Sequence, residues 1–350
     1  MRFSRLIAAP FLLLAAVSFA EDKVAETVNA YLAEHKVVGA SVAVMSHGNV
    51  LYANGFGFMN KESKAKATEH TVYRLASVSK PLTAIAAMQL VEKGKLSLDG
   101  DATKFAPLFP KKKWAFSLRH LLTHTSGIRH YMAGKRDGGT TRYNSAAESL
   151  VKFKDDELLY EPGTNLTYST HAFTLVAYMI EAASGLSFGE YMQKYVFDPA
   201  DAQSMALEAR EVESKNRSEL YDLVNGNPIR PILVEDLSWK YGGGGYEASA
   251  LDVVKVADAL IQGKLTSKKT LAQIVEKQSF GELSTNRALG WVLGEDGTLL
   301  HGGSQQGARS MVSANPETGL VICVLTNTSN HDILTLFNSV QAAWAEQDGR

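Results

Sequence analysis

Tyr73-Arg74-Leu75-Ala76-Ser77-Val78-Ser79-Lys80-Pro81 leads into a run of helix formers over residues 82–93, where Leu82, Ile85, Ala86, Leu90 and Val91 recur near helical spacing. Gly94 ends the run, as a residue free to take positive φ does. Pro81 fits a helix only in its first turn, so the helix begins close to Ser77. A serine there sits among unpaired backbone N–H groups at the positive end of the helix dipole. Lys80 follows by just under one turn and shares its face. A hydroxyl is a weak nucleophile near neutral pH, and an adjacent deprotonated amine activates it. The pair reads as a serine–lysine acyl-transfer site. The alternative is an ordinary N-cap serine. Ser-x-x-Lys is a loose pattern that Ser63/Lys66 and Ser149/Lys152 also match, so the reading depends on what else converges on Ser77.

A chain of 350 residues suits one large domain or two interlocked subdomains. Hydrophobic content of 45% with 21% charged residues fits a globular enzyme with ample core. The net charge of −1 lacks the basic excess that a nucleic-acid partner favours, so none is expected. At the N-terminus, Arg2 and Arg5 precede the apolar residues 6–17, and Ser18-Phe19-Ala20 offers small residues for cleavage. Residues 1–20 therefore read as a secretory signal peptide, with an uncleaved anchor as the alternative. Its removal leaves 34 basic against 37 acidic residues and no stable membrane span. The expected location is periplasmic or secreted. Cys323, the only cysteine, lies in the apolar run 320–325 and reads as a packing residue in a buried strand.

Along the chain, residues 22–36 form a helical pattern, and residues 40–45 and 50–57 read as strands around a turn at His47-Gly48. From Ser77 to about residue 230 the periodicity is mostly helical. Gly242 to Gly245 reads as a tight, close-packed loop, followed by a helix over residues 250–261. Strands then return at residues 290–293, 298–301, 309–314 and 320–325, and a helix over residues 333–346 closes the chain. The expected fold class is α/β of the α+β type. One antiparallel sheet is built from both termini and flanked by terminal helices, with an inserted helical subdomain. The expected division is residues 21–72 with 236–350 against 73–235, with the active site between them.

Three further stretches matter: Leu121-Leu122-Thr123-His124-Thr125-Ser126-Gly127-Ile128, Glu161 to Thr170, and Leu299-Leu300-His301-Gly302-Gly303-Ser304. With Ser77 and Lys80 the set resembles the serine β-lactamase, D,D-peptidase and esterase superfamily, in the branch that includes class C β-lactamases. Residues 121–131, 162–170 and the glycine run after Tyr241 are similar to the mitochondrial β-lactamase-like serine proteases. The likeness covers nearly the whole mature chain. It implies a β-lactamase/transpeptidase-like fold, with Ser77 as nucleophile, Lys80 as its base partner and Tyr168 in the place of the family's Tyr-x-Asn tyrosine. It also places His301-Gly302-Gly303 on the family's Lys-Thr-Gly strand. The backbone N–H groups of Ser77 and Ser304 would form the oxyanion hole.

Two departures stand out. Thr170 replaces the usual asparagine, and His301 replaces a lysine that holds a substrate carboxylate. A histidine there is expected to titrate near pH 6.5 and make anion binding pH-dependent. Tyr168 beside Lys80 is expected to have a depressed pKa and to exchange protons as a phenolate. His120 and His124, one helical turn apart, read as a structural pair rather than a metal site, with Gly127 ending their helix. The expected function is an acyl-enzyme hydrolase for a small-molecule or peptide substrate, cleaving a β-lactam, peptide, amide or ester without metal or cofactor. The alternative is a penicillin-binding sensor or scaffold that does not turn over.

Overall fold

The computed structural model describes residues 23–347 apart from positions 133 and 136, so residues 1–20, read as a signal peptide, lie outside the described residues. Helix α1 (23–35) precedes strands β1 (Gly39–Ser46) and β2 (Asn49–Asn60), which turn at His47-Gly48. A short β3 (Ala65–Lys66) pairs with β2. The C-terminal part supplies β4 (Arg287–Ala288), β5 (Trp291–Leu293), β6 (Leu299–Gln305), β7 (Ala308–Ala314) and β8 (Leu320–Thr326). Together they form one eight-stranded sheet in the order β4-β5-β6-β7-β8-β1-β2-β3. Its pairings are antiparallel, and β1 from one end of the chain lies against β8 from the other.

Period-two alternation decides what covers each face. Val42 and Val44 of β1, with Ile322 and Val324 of β8, point into a core shared with Val24 and Val28 of α1. Leu336, Phe337 and Val340 of the last helix, Ile333–Gln347, complete that layer. Ala43 and Met45, with Val321, Cys323 and Leu325, point the other way into the larger core. Cys323 is thus a buried packing residue in a central strand.

The middle of the chain is mainly helical. Helix α2 (Ser79–Glu92) has every residue from Ser79 to Leu90 buried, so it is a central core helix rather than an amphipathic one. Helices α3 (Leu118–Leu122) and α4 (Thr170–Ser184) share its core, and α5 (Ala250–Ile261) packs on β1, β7 and β8 of the sheet. The last helix becomes α6. Tyr73–Arg74 and Ala206–Leu207 both pair with Tyr246–Ala248, tying the helical segment to the sheet segment, and the larger core takes residues from both.

Three local expectations are corrected. Gly242 to Gly244 form a helical turn with Tyr241 rather than a loop. The turn is closely packed all the same, since a Cβ on Gly243 would strike Thr170. Helix α3 ends at Leu122, before Gly127, which sits in the following loop against Tyr160. His124 therefore lies outside that helix, at φ 64, and is not stacked one turn beyond His120. Among the described residues no single helix is long and apolar enough to cross a membrane.

Candidate active site

Ser77 sits in a 3₁₀ turn, Ala76–Val78, that leads directly into α2. The segment before it is pinned on both sides: Leu75 N donates to Tyr246 O at 2.8 Å, and Ser310 Oγ donates to Leu75 O at 2.7 Å. Ala76 is held at φ 48, a left-handed conformation that costs a β-carbon residue about 1–2 kcal/mol. Upstream, Arg74 is buried in a two-pronged ion pair with Glu208 (Nε–Oε2 2.5 Å, Nη2–Oε1 2.6 Å) and also donates to the Glu235 carbonyl.

Lys80 is fully buried, and among the described residues no carboxylate pairs with it. Its Nζ lies 3.0 Å from Ser77 Oγ, 3.1 Å from Thr170 Oγ1 and 2.6 Å from Gly243 O. Burial, and then the charge of Lys240, hold its pKa well below the usual lysine range. A neutral amine has two N–H donors and one lone pair. Gly243 O and Thr170 Oγ1 take the donors, which leaves the lone pair facing the Ser77 hydroxyl. This geometry fits a general base.

Tyr168 lies beside the pair, with Lys80 Nζ 4.8 Å from its ring centroid. Its hydroxyl is in hydrogen-bond reach of Ser77 and Thr170. Its pKa is nevertheless pushed up to about 12, because burial outweighs those hydrogen bonds and the charge of Arg287. The expected phenolate is corrected: the ring carries a neutral phenol. Thr170 opens α4 and lies within reach of Lys80, Tyr168 and Tyr131. One hydroxyl therefore stands among three polar side chains at the position where the resembled family usually has an asparagine.

The Tyr168 segment is clamped by two histidines. Ser169 N donates to His124 Nδ1 at 3.1 Å, and Thr170 N donates to His130 Nδ1 at 3.2 Å. Both rings also pack on Tyr168, with centroids at 4.3 and 5.3 Å. An acceptor nitrogen must be unprotonated, and burial keeps both pKa values low, that of His130 at about 4. His120 instead closes a capping box with Ser117 at the start of α3.

The sheet side of the site is β6. Beyond Leu300, β5 no longer pairs with it, so one edge of Gly302 to Gln305 is left without a β5 partner. Gly302, Gly303 and Ser304 line a cleft of about 980 Å3 together with Ser77, Tyr168 and Thr170. A Cβ on Gly303 would meet Leu75 O, Ala76 Cβ and Ser310 Oγ, so only glycine lets the strand approach the nucleophile turn this closely. His301 shares the face of Gly303, toward the larger core, but its ring is buried and outside the cleft lining. Its Nδ1 donates to Gly302 O at 2.8 Å, and burial with the charge of Lys80 pushes its pKa down to about 3. The expectation of a titrating substrate-carboxylate group is corrected, because a ring without access to water resists protonation.

Residues 24–334 match the Beta-lactamase family. The chain belongs to that family. The mitochondrial serine beta-lactamase-like protein LACTB of Homo sapiens is 27% identical over 293 residues, covering 64% of this chain and 53% of that protein. The chain thus spans about half the length of that relative. Esterase EstB of Burkholderia gladioli is 26% identical over 347 residues, 85% of this chain and 88% of the esterase. Among solved structures, EstCE1, a hydrolase with promiscuous acyltransferase activity, has a TM-score of 0.80 at 24% identity, covering 95% of this chain and 99% of its own. The chain is therefore a β-lactamase-fold member of a serine hydrolase family.

Within this β-lactamase fold, Ser77, Lys80, Tyr168 and Thr170 come together with Gly302, Gly303 and Ser304 at one cleft, and His301 stays buried outside its lining. Ser63 is exposed in a turn, and Ser149 is buried with its hydroxyl donated to Ala146 O, so neither rival Ser-x-x-Lys match reaches the cleft. Sequence reasoning missed Lys240 and Arg287. Lys240 is buried in the cleft wall, 3.2 Å from Glu235 Oε2, and its charge acts on Lys80. Arg287 acts on Tyr168 and His301, and its buried Nε has no hydrogen-bond partner. Both are lone basic residues in strand or turn segments, and nothing in their neighbours' identities marks them.

Proposed function

We propose that this protein is an exported serine hydrolase that cleaves an ester or amide through an acyl-enzyme on Ser77. The observation that carries the reading is the buried Lys80 amine, with both donors occupied and its lone pair facing Ser77 Oγ at 3.0 Å. Lys80 takes the Ser77 proton as Oγ bonds to the substrate carbonyl carbon. The resulting oxyanion faces the backbone N–H groups of Ser77 and Ser304, a type of contact that contributes about 3–4 kcal/mol per donor. As the bond to the leaving group breaks, the Tyr168 phenol gives its proton to that group. Tyr168 is reprotonated from the Lys80 ammonium through Thr170, which lies within reach of both. Water then attacks the acyl carbon and gives its proton to Lys80, which returns it to Ser77 Oγ as the acyl–oxygen bond breaks and the acid leaves.

Export rests on the charged and then apolar stretch at residues 2–20. The EstB likeness supports an ester as substrate, and the family as a whole supports an acyl-enzyme. The test is a panel of p-nitrophenyl esters, aminoacyl anilides and nitrocefin, together with a fluorophosphonate probe and mass mapping of the labelled peptide. Labelling at Ser77 with turnover of an ester or anilide is the expected result. A labelled serine elsewhere, or a stoichiometric adduct that never turns over on any substrate, refutes the reading.

A further inference from the structure

Single exposed apolar side chains are normal on a protein surface, but a cluster of them at a concave site is not. Twelve large hydrophobic side chains are exposed among the described residues. Three of them, Tyr131, Met132 and Leu334, line the catalytic cleft, and Ile333 joins them there. Two more, Ile232 and Leu233, belong to the loop that enters the cleft at Glu235. That loop is tied to the cleft floor: Gln306 Nε2 donates to Leu233 O at 2.8 Å, and Glu235 N donates to Gln306 Oε1 at 3.0 Å. Ile232 stands wholly in solvent, and Leu334 is 50% exposed.

The three contributing segments are far apart in sequence. One follows α3, one precedes the Tyr241 turn and one opens α6, yet all present apolar groups at the same cleft. Tyr131 turns its hydroxyl inward toward Thr170 and leaves its ring on the cleft wall. Met132 adds a flexible thioether that adapts to chains of different shape. At about 980 Å3 the cleft is at the top of the range for small-molecule sites, roomier than an acetyl group needs.

We propose that Tyr131, Met132, Ile333 and Leu334, extended by Leu233, form a subsite for the apolar chain of the substrate, so that the hydrolysed bond belongs to an ester or amide with a medium to long alkyl or aryl group. The assignment rests on the proposed acyl-enzyme chemistry at Ser77 and names its substrate class. Each methylene the subsite covers is expected to raise kcat/KM about fourfold, the transfer free energy of one CH2 group expressed as a ratio. The gain ends where the chain outgrows the rim.

The test measures kcat/KM for p-nitrophenyl acetate, butyrate, hexanoate and octanoate below their micellar concentrations. It compares wild type, Leu334→Ser with Met132→Ser, and Leu334→Met. Wild type is expected to favour octanoate over acetate strongly. The serine pair should lower that ratio at least tenfold, and Leu334→Met should keep it. A flat or falling chain-length profile in wild type, or an unchanged ratio in the serine pair, overturns the subsite. A second measurement is independent of turnover: the rates at which ethyl and octyl fluorophosphonates label Ser77. Faster octyl labelling that the serine pair abolishes supports the subsite even if no ester is hydrolysed, in which case only the proposed reaction fails. Equal labelling rates overturn it. Binding to phosphatidylcholine vesicles that the serine pair abolishes, with a flat chain-length profile, would assign the rim to a membrane surface and also overturn it.

Discussion

Acidification charges His301 only against the resistance of the fold. Burial and the charge of Lys80 push its pKa down to about 3, although its hydrogen bond to Gly302 O acts the other way. An unperturbed imidazole titrates near 6.5. Between those values the unfolded chain binds a proton that the folded chain refuses, so stability rises with pH through this window. The contribution is complete above about pH 6.5 and is lost progressively as pH falls toward about 3. The whole interval corresponds to roughly 5 kcal/mol, of which about 3 kcal/mol is gone by pH 4.5. His301→Gln keeps a side chain able to donate to Gly302 O but removes the titration. Urea unfolding of both proteins at pH 7.5 and 4.5 measures the difference, because the other titrating groups are common to both. The variant is expected to lose about 3 kcal/mol less stability than wild type on acidification. Equal losses would refute the buried, neutral ring. A second arm follows from the same geometry: between about pH 5.5 and 8 a matched neutral and anionic substrate pair should give parallel kcat/KM profiles. A divergence centred near 6.5 would place a water-exposed imidazole against the substrate and refute the burial argument from the other side.

Ser77→Ala is expected to abolish fluorophosphonate labelling and turnover, whereas Ser63→Ala retains both; labelling of the Ser77 variant at the wild-type rate would remove Ser77 from the reaction. Tyr168→Phe should keep the melting temperature near that of wild type and lower kcat about 10²–10⁴-fold, the range for a positioned proton donor. A large drop in melting temperature with normal kcat would make the hydroxyl structural instead. Gly303→Ala forces a methyl group against Leu75 O, Ala76 Cβ and Ser310 Oγ. It should cost about 1–3 kcal/mol in chemical denaturation and depress kcat as the nucleophile turn shifts; a neutral result on both counts would mean that β6 has room to move.

The sheet could be read in advance because its signal is local. Strands β1 and β8 announce themselves by nearly continuous apolar runs, and those runs persist because both faces are covered, by α1 and α6 on one side and by α5 on the other. Ser77 and Lys80 could be read because helix spacing converts sequence distance into direction. Burial at a strand position could not. His301 and Gly303 share one face of β6, and only the packing of the larger core decides that the ring is sealed there instead of open to the cleft. The same limit hid the sign of the Tyr168 shift. Proximity to Lys80 was legible, whereas the burial that outweighs it depends on His124, His130 and the α4 segment folding around the ring. The four-glycine run misled for a different reason. Glycine marks close approach, and here the approach is by a helical turn that presents Gly243 O to Lys80.

These corrections change the division of labour in the site. Histidines 124, 130 and 301 are all held toward the neutral form, and Lys80 is held there as well. With the imidazoles uncharged and tied to backbone groups, Lys80 is left as the proposed base beside Ser77, and Tyr168 as the proposed acid. Lys240 and Arg287 supply positive charge from the walls: Lys240 favours the neutral amine of Lys80, and Arg287 eases the developing charge on Tyr168. His301, where the resembled pattern has a strand lysine, therefore places a neutral, buried ring there without touching the proposed proton path. Replacing the pattern's asparagine by Thr170 does touch that path, because a hydroxyl both accepts from Lys80 and donates onward, which suits a proton relay between base and acid. Recognition is then left to the rest of the cleft, where the proposed apolar rim of Tyr131, Met132 and Leu334 lies.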